Sequence, residues 1–298
     1  MRARMPDLYR GMALDIIDRI EPLRGLVSRW RASGARIAVV PTMGNLHAAH
    51  LRLVDEASAL ADRVVVTIFV NPVQFVEGED FSTYPRTLSE DVEKLAATAT
   101  DSVFAPPVSE MYPRGTQAPT FVEVPRLSYE LCGKFRPGHF RGVTTIVCKL
   151  FNIIQPDVAV FGEKDLQQLI IIRRMVRELD IPVSIKGMPT MREADGLAMS
   201  SRNAYLSPAE RGLAANLFRC LCDARRALEA GVRDYREIET LQLTRLREMG
   251  FRPEYFAVRR SLDLAVPEAR DRALVILTAA WLGKARLLDN LPAVLGDA

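Results

Sequence analysis

Two hydrophobic periods alternate along the first two thirds of this chain, and that alternation narrows the possible folds more than any other feature. Short continuous apolar runs, rich in β-branched residues, recur as "RIAVV" (36–40), "RVVVTIFV" (63–70), "SVFA" (102–105), "DVAVFG" (157–162) and "IPVSIKGM" (181–188). Such runs read as strands buried on both faces of a parallel sheet. Between them lie stretches of helical period, "LRLVDEASALA", "SEDVEKLAATA", "GVTTIVCKLFNII" and "LQQLIIIRRMVREL". Strands alternating with helices predict βαβ units and an α/β fold with a doubly wound parallel sheet.

The pattern changes near "MREADG" (191–196). Two amphipathic, solvent-facing helices are expected in "SPAERGLAANLFRCLCDARRALEAG" and "DYREIETLQLTRLREMG", followed by strand-like "PEYFAVRR" and "ALVILTAAWLG". A smaller α+β domain is therefore expected over 191–298, after a larger domain over 1–190. No internal repeat or low-complexity segment is present.

Composition excludes more than it selects. A length of 298 residues allows one large or two modest domains, and 48% hydrophobic with 26% charged residues is ordinary for a globular protein. A net charge of +3 gives no reason to expect nucleic acid or a membrane surface as partner. No apolar stretch approaches the roughly 20 residues of a membrane span. The N-terminus lacks the apolar core of a signal peptide, so residues 1–11 read as a flexible leader or an upstream start before Met12. Cys132, Cys148, Cys220 and Cys222 contain one close pair and no second to complete a zinc site; free buried thiols in a reducing cytoplasm are expected.

In open α/β sheets ligands sit beyond the carboxyl ends of the strands, so unusual polar residues there are candidates. "PTMGNLHAAH" follows the first strand and sets His47 and His50 three residues apart, after Gly44 has allowed a tight turn. A helix starting there aims free N–H groups at an anion, and the two imidazoles can donate to phosphate oxygens. Metal ligation is a weaker alternative, because His139 is the only other histidine and no carboxylate stands within the turn; a surface accident is the third. "VNPVQF" (70–75) offers Asn71 and Gln74 as neutral partners for a hydroxyl or carboxylate, or simply starts a turn. "FGEKDLQQL" (161–169) places Lys164 at a strand end, with Asp165 able to cap a helix that carries Gln167 and Gln168. "GLAMSSRNAYLS" (196–207) sets Ser200 and Ser201 beside Arg202, a phosphate-binding combination or a polar linker. "KFRPGHFRGV" (134–143) is either a polyphosphate clamp or a solvated loop. The motifs of P-loop NTPases, dinucleotide oxidoreductases and serine hydrolases are all missing.

In order and spacing, "PTMGNLHAAH", "FVNPVQF", "YPRT", "RPGHFRGV", "FGEKD" and "MSSRN" resemble the pantothenate synthetase (pantoate–β-alanine ligase) family of the nucleotidyltransferase superfamily. The resemblance runs from about Met12 to "AAWLGKARLLDN". It implies a Rossmann-like N-terminal domain with both substrate sites, a smaller C-terminal domain closing over ATP, and a cytoplasmic homodimer. The implied reaction joins pantoate to β-alanine through a pantoyl adenylate, with Mg2+ accompanying ATP. By carry-over, His47 and His50 stabilise charge on the transferring phosphoryl group, His50 being the family's proposed proton donor. Lys164, Ser200, Ser201 and Arg202 join them as catalytic phosphate ligands. Met43, Gly44, Asn45, Leu46, Ala48, Ala49, Gly162, Glu163, Asp165, Met191 and Met199 complete the nucleotide site, and Gln74, Gln168 and Asn71 hold pantoate. No Mg2+ ligand is assigned; Asp91 is weighed and left out.

Two positions depart from the family pattern. Ala49 stands where H-x-G-H has glycine, and Val73 where methionine is commoner. The first adds a methyl where a nucleotide approaches the backbone. Rival readings are a paralogous AMP-forming amide ligase with another hydroxy acid or amine, a nucleotidyltransferase that stops at pyrophosphate release, and a nucleotide-binding protein without activity.

Overall fold

Strand order, more than strand content, positions the site. The structure, a computed structural model, describes residues 14–117 and 119–296; the leader reading for residues 1–11 falls outside them. In chain order the first part comprises β1 (Asp15–Ile17), α1 (Ile20–Ala32), β2 (Ile37–Thr42), α2 (Ala48–Leu60), β3 (Arg63–Ile68), α3 (Leu88–Ala96), β4 (Ser102–Phe104), α4 (Val108–Met111), α5 (Cys132–Phe135), α6 (His139–Ile154), β5 (Val158–Gly162), α7 (Leu166–Glu178) and β6 (Ser184–Met188). The six strands are all parallel and lie in the order β1-β4-β3-β2-β5-β6. The chain leaves central β2 towards β3 and β4, then returns to β5 on the other side. The ends of β2 and β5 therefore flank the switch in strand order, where such sheets bind ligands.

The continuous apolar runs have a direct cause. Ile37, Val39, Val65, Phe104 and Ala159 face a core with α1, α6 and α7, while Ala38, Val40, Val64, Val66, Val103 and Val160 face α2 and α3. Both sets are needed because helices cover both faces.

The second part holds α8 (Pro208–Ala214), α9 (Asn216–Glu229), α10 (Tyr235–Glu248) and an antiparallel sheet of β7 (Arg252–Arg260), β8 (Ala273–Leu282) and β9 (Ala285–Val294). Val258, Leu274 and Ile276 pack with Leu221, Leu228 and Leu246 of the helices, whereas Ala257, Val275 and Leu277 join the core of the larger sheet. The second sheet is thus covered on both faces and docks on the first part.

Several expectations need correction. α9 and α10 are not merely solvent-facing, because each buries an apolar stripe. The stretch from 207 is two helices that meet at Ala215. "IPVSIKGM" forms a strand only from Ser184, at a sheet edge with one neighbour, so it is partly exposed. β3 stops at Ile68 rather than Val70. Cys132 and Cys220 are buried, but Cys148 and Cys222 are only half-buried; all four are free. β1 and α1 lie outside the sequence expectations: β1 has only three residues, too few for a period, and α1 buries only Leu23 and Val27, too sparse an apolar stripe to stand out.

Candidate active site

Beyond β2 the chain makes a left-handed step, with Gly44 at φ 82° and Asn45 at φ 51°. Such a step carries free N–H groups that need an acceptor, and Asp91 of α3 supplies it. Its fully buried carboxylate accepts from Asn45 N–H at 2.8 Å, Leu46 N–H at 2.7 Å and the Thr87 hydroxyl at 3.2 Å. A carboxylate with those oxygens committed is a structural anchor, which disposes of Asp91 as a metal ligand. On Gly44 a Cβ would stand 3.0 Å from the same carboxylate, so turn and anchor fit only with glycine.

The turn delivers His47 as the residue capping α2 and His50 in its first turn, with ring centroids 4.1 Å apart. The His47 backbone N–H donates to His50 Nδ1 at 3.3 Å, so His50 carries its proton on Nε2. Burial lowers the His50 pKa to about 3, helped by His47, Lys164 and Lys94. Burial, Lys164 and Lys94 likewise lower that of His47 to about 4. Both rings are therefore neutral near pH 7, and His50 offers a hydrogen bond from Nε2–H rather than a resident acidic proton.

These rings open on a cleft between β2, β5 and the 188–202 segment. Met43, His47, Ala49, His50, Gln74, Gly162, Lys164, Asp165, Gln168, Met191, Met199, Ser200, Ser201 and Arg202 all line it. Six expected residues do not: Gly44, Asn45 and Leu46 belong to the turn before α2, Ala48 is exposed at the start of that helix, Glu163 gives its carbonyl to Asn290, and Asn71 is buried. Asn71 Nδ2 donates to Gln74 Oε1 and to the Gly142 carbonyl, both at 3.1 Å, and its Oδ1 accepts from Tyr112 at 2.8 Å. It therefore orients the Gln74 amide, whose Nε2 meets Met43 Sδ at 2.9 Å. Gln167 also turns inward, holding the Leu127 and Glu130 carbonyls at 2.8 Å, and leaves the cleft to Gln168.

The basic stretch splits. Arg136 and His139 line the cleft, whereas Lys134 lies in a separate surface groove and Arg141 stacks over Phe121 at 4.1 Å. Arg136 Nη1 can only donate, so at 2.8 Å it fixes His139 Nε2 as acceptor, and Nδ1–H then donates to the Gln74 carbonyl at 2.7 Å. Burial, with Arg136 next to it, holds the His139 pKa well below its usual value.

Sequence reasoning passed over three contributors. Asn290 of β9 donates to the Glu163 and Lys164 carbonyls at 2.8 and 3.0 Å, fixing the turn that carries Lys164. Glu79 binds Arg136, with Nη2 at 2.7 Å from Oε2. Asp80 binds Arg202, with Nε and Nη2 at 3.1 and 3.0 Å from its two oxygens. "VEGED" looks like an ordinary acidic loop, and only the packing shows what its carboxylates meet. The segment carrying Arg202 is tied once more to the first sheet where the Ser201 hydroxyl donates to the Asn45 carbonyl at 3.1 Å.

A cleft whose lining includes the neutral imidazoles of His47 and His50, Lys164, Arg202 and the Ser200 and Ser201 hydroxyls suits a phosphate chain, while the Gln74–Gln168 end suits a small neutral or monoanionic group. Among the described residues no group of three or more His, Cys, Asp or Glu side chains is placed to hold a metal. The family model described as pantoate-beta-alanine ligase matches residues 15–292. The pantothenate synthetase of Methylococcus capsulatus is 55% identical over 278 residues, covering 93% of this chain and 97% of that protein. That of Thioalkalivibrio sulfidiphilus is 56% identical over 270 residues, covering 91% and 94%. The crystal structure of the Thermus thermophilus pantothenate synthetase superposes with a TM-score of 0.86 at 42% identity, covering 93% of this chain and 99% of that one. The Francisella tularensis pantoate–β-alanine ligase, crystallised with beta-gamma ATP and β-alanine, superposes with a TM-score of 0.79 at 31% identity, covering 94% and 97%.

Proposed function

The chain belongs to the pantoate–β-alanine ligase family, and from that premise we infer that it condenses pantoate with β-alanine at the expense of ATP, releasing AMP and pyrophosphate. The observation that carries this reading is the convergence of His47, His50, Lys164 and Arg202 on one cleft that also presents Gln74 and Gln168.

In the first step a pantoate carboxylate oxygen attacks the α-phosphorus and the bond to the bridging oxygen of pyrophosphate breaks. In the second, the β-alanine amine attacks the acyl carbon, the acyl C–O bond breaks towards AMP, and the amine loses a proton. Neither step needs a covalent enzyme nucleophile, so positioning and charge stabilisation carry the rate. His50 donates from Nε2–H, and His47, Lys164 and Arg202 add donors along the phosphates. Ser200 and Ser201 contribute hydroxyls, Met43, Gly162, Met191 and Met199 pack against the nucleotide, and Gln74 with Gln168 holds pantoate. Asn71 acts through Gln74.

Mg2+ would accompany ATP, shielding phosphate charge. Among the described residues Asp165 is the one carboxylate lining the cleft, and a single carboxylate plus phosphate oxygens and water fits Mg2+, which favours such partial protein ligation. The division at residues 190/191 and a homodimer belong to the same proposal. The four free thiols suit the reducing cytoplasm in which we place the protein, and no helix among the described residues is long and apolar enough to cross a membrane.

A product assay with ATP, Mg2+, pantoate and β-alanine, each omitted in turn, tests the reading. AMP, pyrophosphate and pantothenate should form only from the complete mixture. Pyrophosphate release without pantothenate would identify a different amine, and no turnover with pantoate would refute the acid.

A further inference from the structure

We propose that Asp80 is a positioning residue that competes with pyrophosphate for Arg202, so that one guanidinium both grips the departing phosphates and is drawn back from them. This rests on the reading of Arg202 as a phosphate ligand.

Arg202 lines the cleft, and its Nε and Nη2 are both engaged by the two oxygens of Asp80, at 3.1 and 3.0 Å. The partners are 122 residues apart in sequence, so the pair ties the loop after Gln74 to the domain junction. Their side chains are only 23% and 20% exposed, which limits screening by water. The Tyr84 ring lies 5.8 Å from the guanidinium carbon and helps to enclose the pair. Glu79, the preceding residue, holds Arg136 in the same forked way, so the loop sets two carboxylates against two guanidiniums of the cleft.

A guanidinium fork donates to carboxylate or phosphate oxygens in the same bidentate geometry, and one edge serves one pair of oxygens at a time. A phosphate must therefore displace Asp80 from the Nε–Nη2 edge or bind the remaining Nη1–Nη2 edge beside a fixed negative charge. Either way Asp80 weakens anion binding, most of all for highly charged pyrophosphate, and favours its release.

Asp80→Asn keeps the shape and one acceptor oxygen but removes the charge. The expected result is a pyrophosphate inhibition constant and calorimetric Kd about tenfold lower, equivalent to about 1.4 kcal/mol, a lower KM for ATP and an unchanged KM for pantoate. Asp80→Glu, which retains the charge, should bind pyrophosphate like the parent. A merely structural Asp80 would not give tighter binding on loss of its charge. If Asp80→Asn binds pyrophosphate equally or more weakly while Arg202→Ala weakens it, the competition is refuted and the role of Arg202 survives. If Arg202→Ala leaves pyrophosphate binding unchanged, the reading of Arg202 itself fails.

Discussion

Replacing Asp91 by alanine removes the acceptor that holds the step between β2 and α2. Two backbone donors, Asn45 N–H and Leu46 N–H, lose partners at 2.8 and 2.7 Å, and Leu46 is only 3% exposed. An orphaned buried donor costs about 1–3 kcal/mol, and the Asn45 group, nearer solvent, sits at the low end. Losing the buried carboxylate returns part of its desolvation cost, so a net destabilisation of about 1–3 kcal/mol is expected. Asp91→Asn should fall between the two: its single amide oxygen can serve either N–H, and its NH2 then faces the other. The same step carries Met43 and His47 to the cleft, and a shift of about 1 Å there is worth about a hundredfold in rate. The assay pairs denaturant unfolding with kcat/KM for ATP at several Mg2+ concentrations. An anchor predicts lower stability, graded from Asn to Ala, and a rate loss that added Mg2+ does not restore. Stability within about 0.5 kcal/mol of the parent, together with activity rescued by Mg2+, would refute the argument and make Asp91 a metal ligand.

His50 should make stability pH-dependent. Its folded pKa of about 3 lies below the unfolded value near 6.5, so the unfolded chain binds the proton first and stability falls as pH drops below about 6.5. From pH 7 to 5 the loss from this ring is about 1–2 kcal/mol; His50→Gln should show that much less decline over the interval, and identical slopes would contradict the burial of His50. Gly142→Ala would place a Cβ 2.5 Å from Gln74 Cα and from the Val73 carbonyl. Displacing that turn should cost about 1–3 kcal/mol and raise the KM for pantoate more than that for ATP, which initial-rate kinetics would resolve. Ala49 lines the cleft, and Ala49→Gly should lower the KM for ATP while destabilising α2 by up to about 1 kcal/mol; an unchanged KM would show that the methyl is already accommodated.

The sequence alone determined the period of the main elements and therefore the parallel α/β sheet, because strands covered by helices on both faces must be apolar on both. It also determined which types of side chain lie at the strand ends, and the order of six motifs carried the family. Short or weakly patterned elements were its limit: β1, with three residues, shows no period, and β6 was expected as a buried strand from 181 although it begins at Ser184 and is half polar, an edge strand with one neighbour.

Direction was the other limit. Asn71 and Gln74 stand three residues apart in one motif, as Gln167 and Gln168 stand side by side, yet only Gln74 and Gln168 reach the cleft. Asp91, Asp80, Glu79 and Asn290 gain their roles from partners 46, 122, 57 and 127 residues away. Local sequence encodes period and chemical type, since those depend on neighbours along the chain. Which acceptor meets which orphaned N–H, which carboxylate meets which guanidinium, and which imidazole nitrogen keeps its proton depend on atoms that only the packed chain brings within 3 Å.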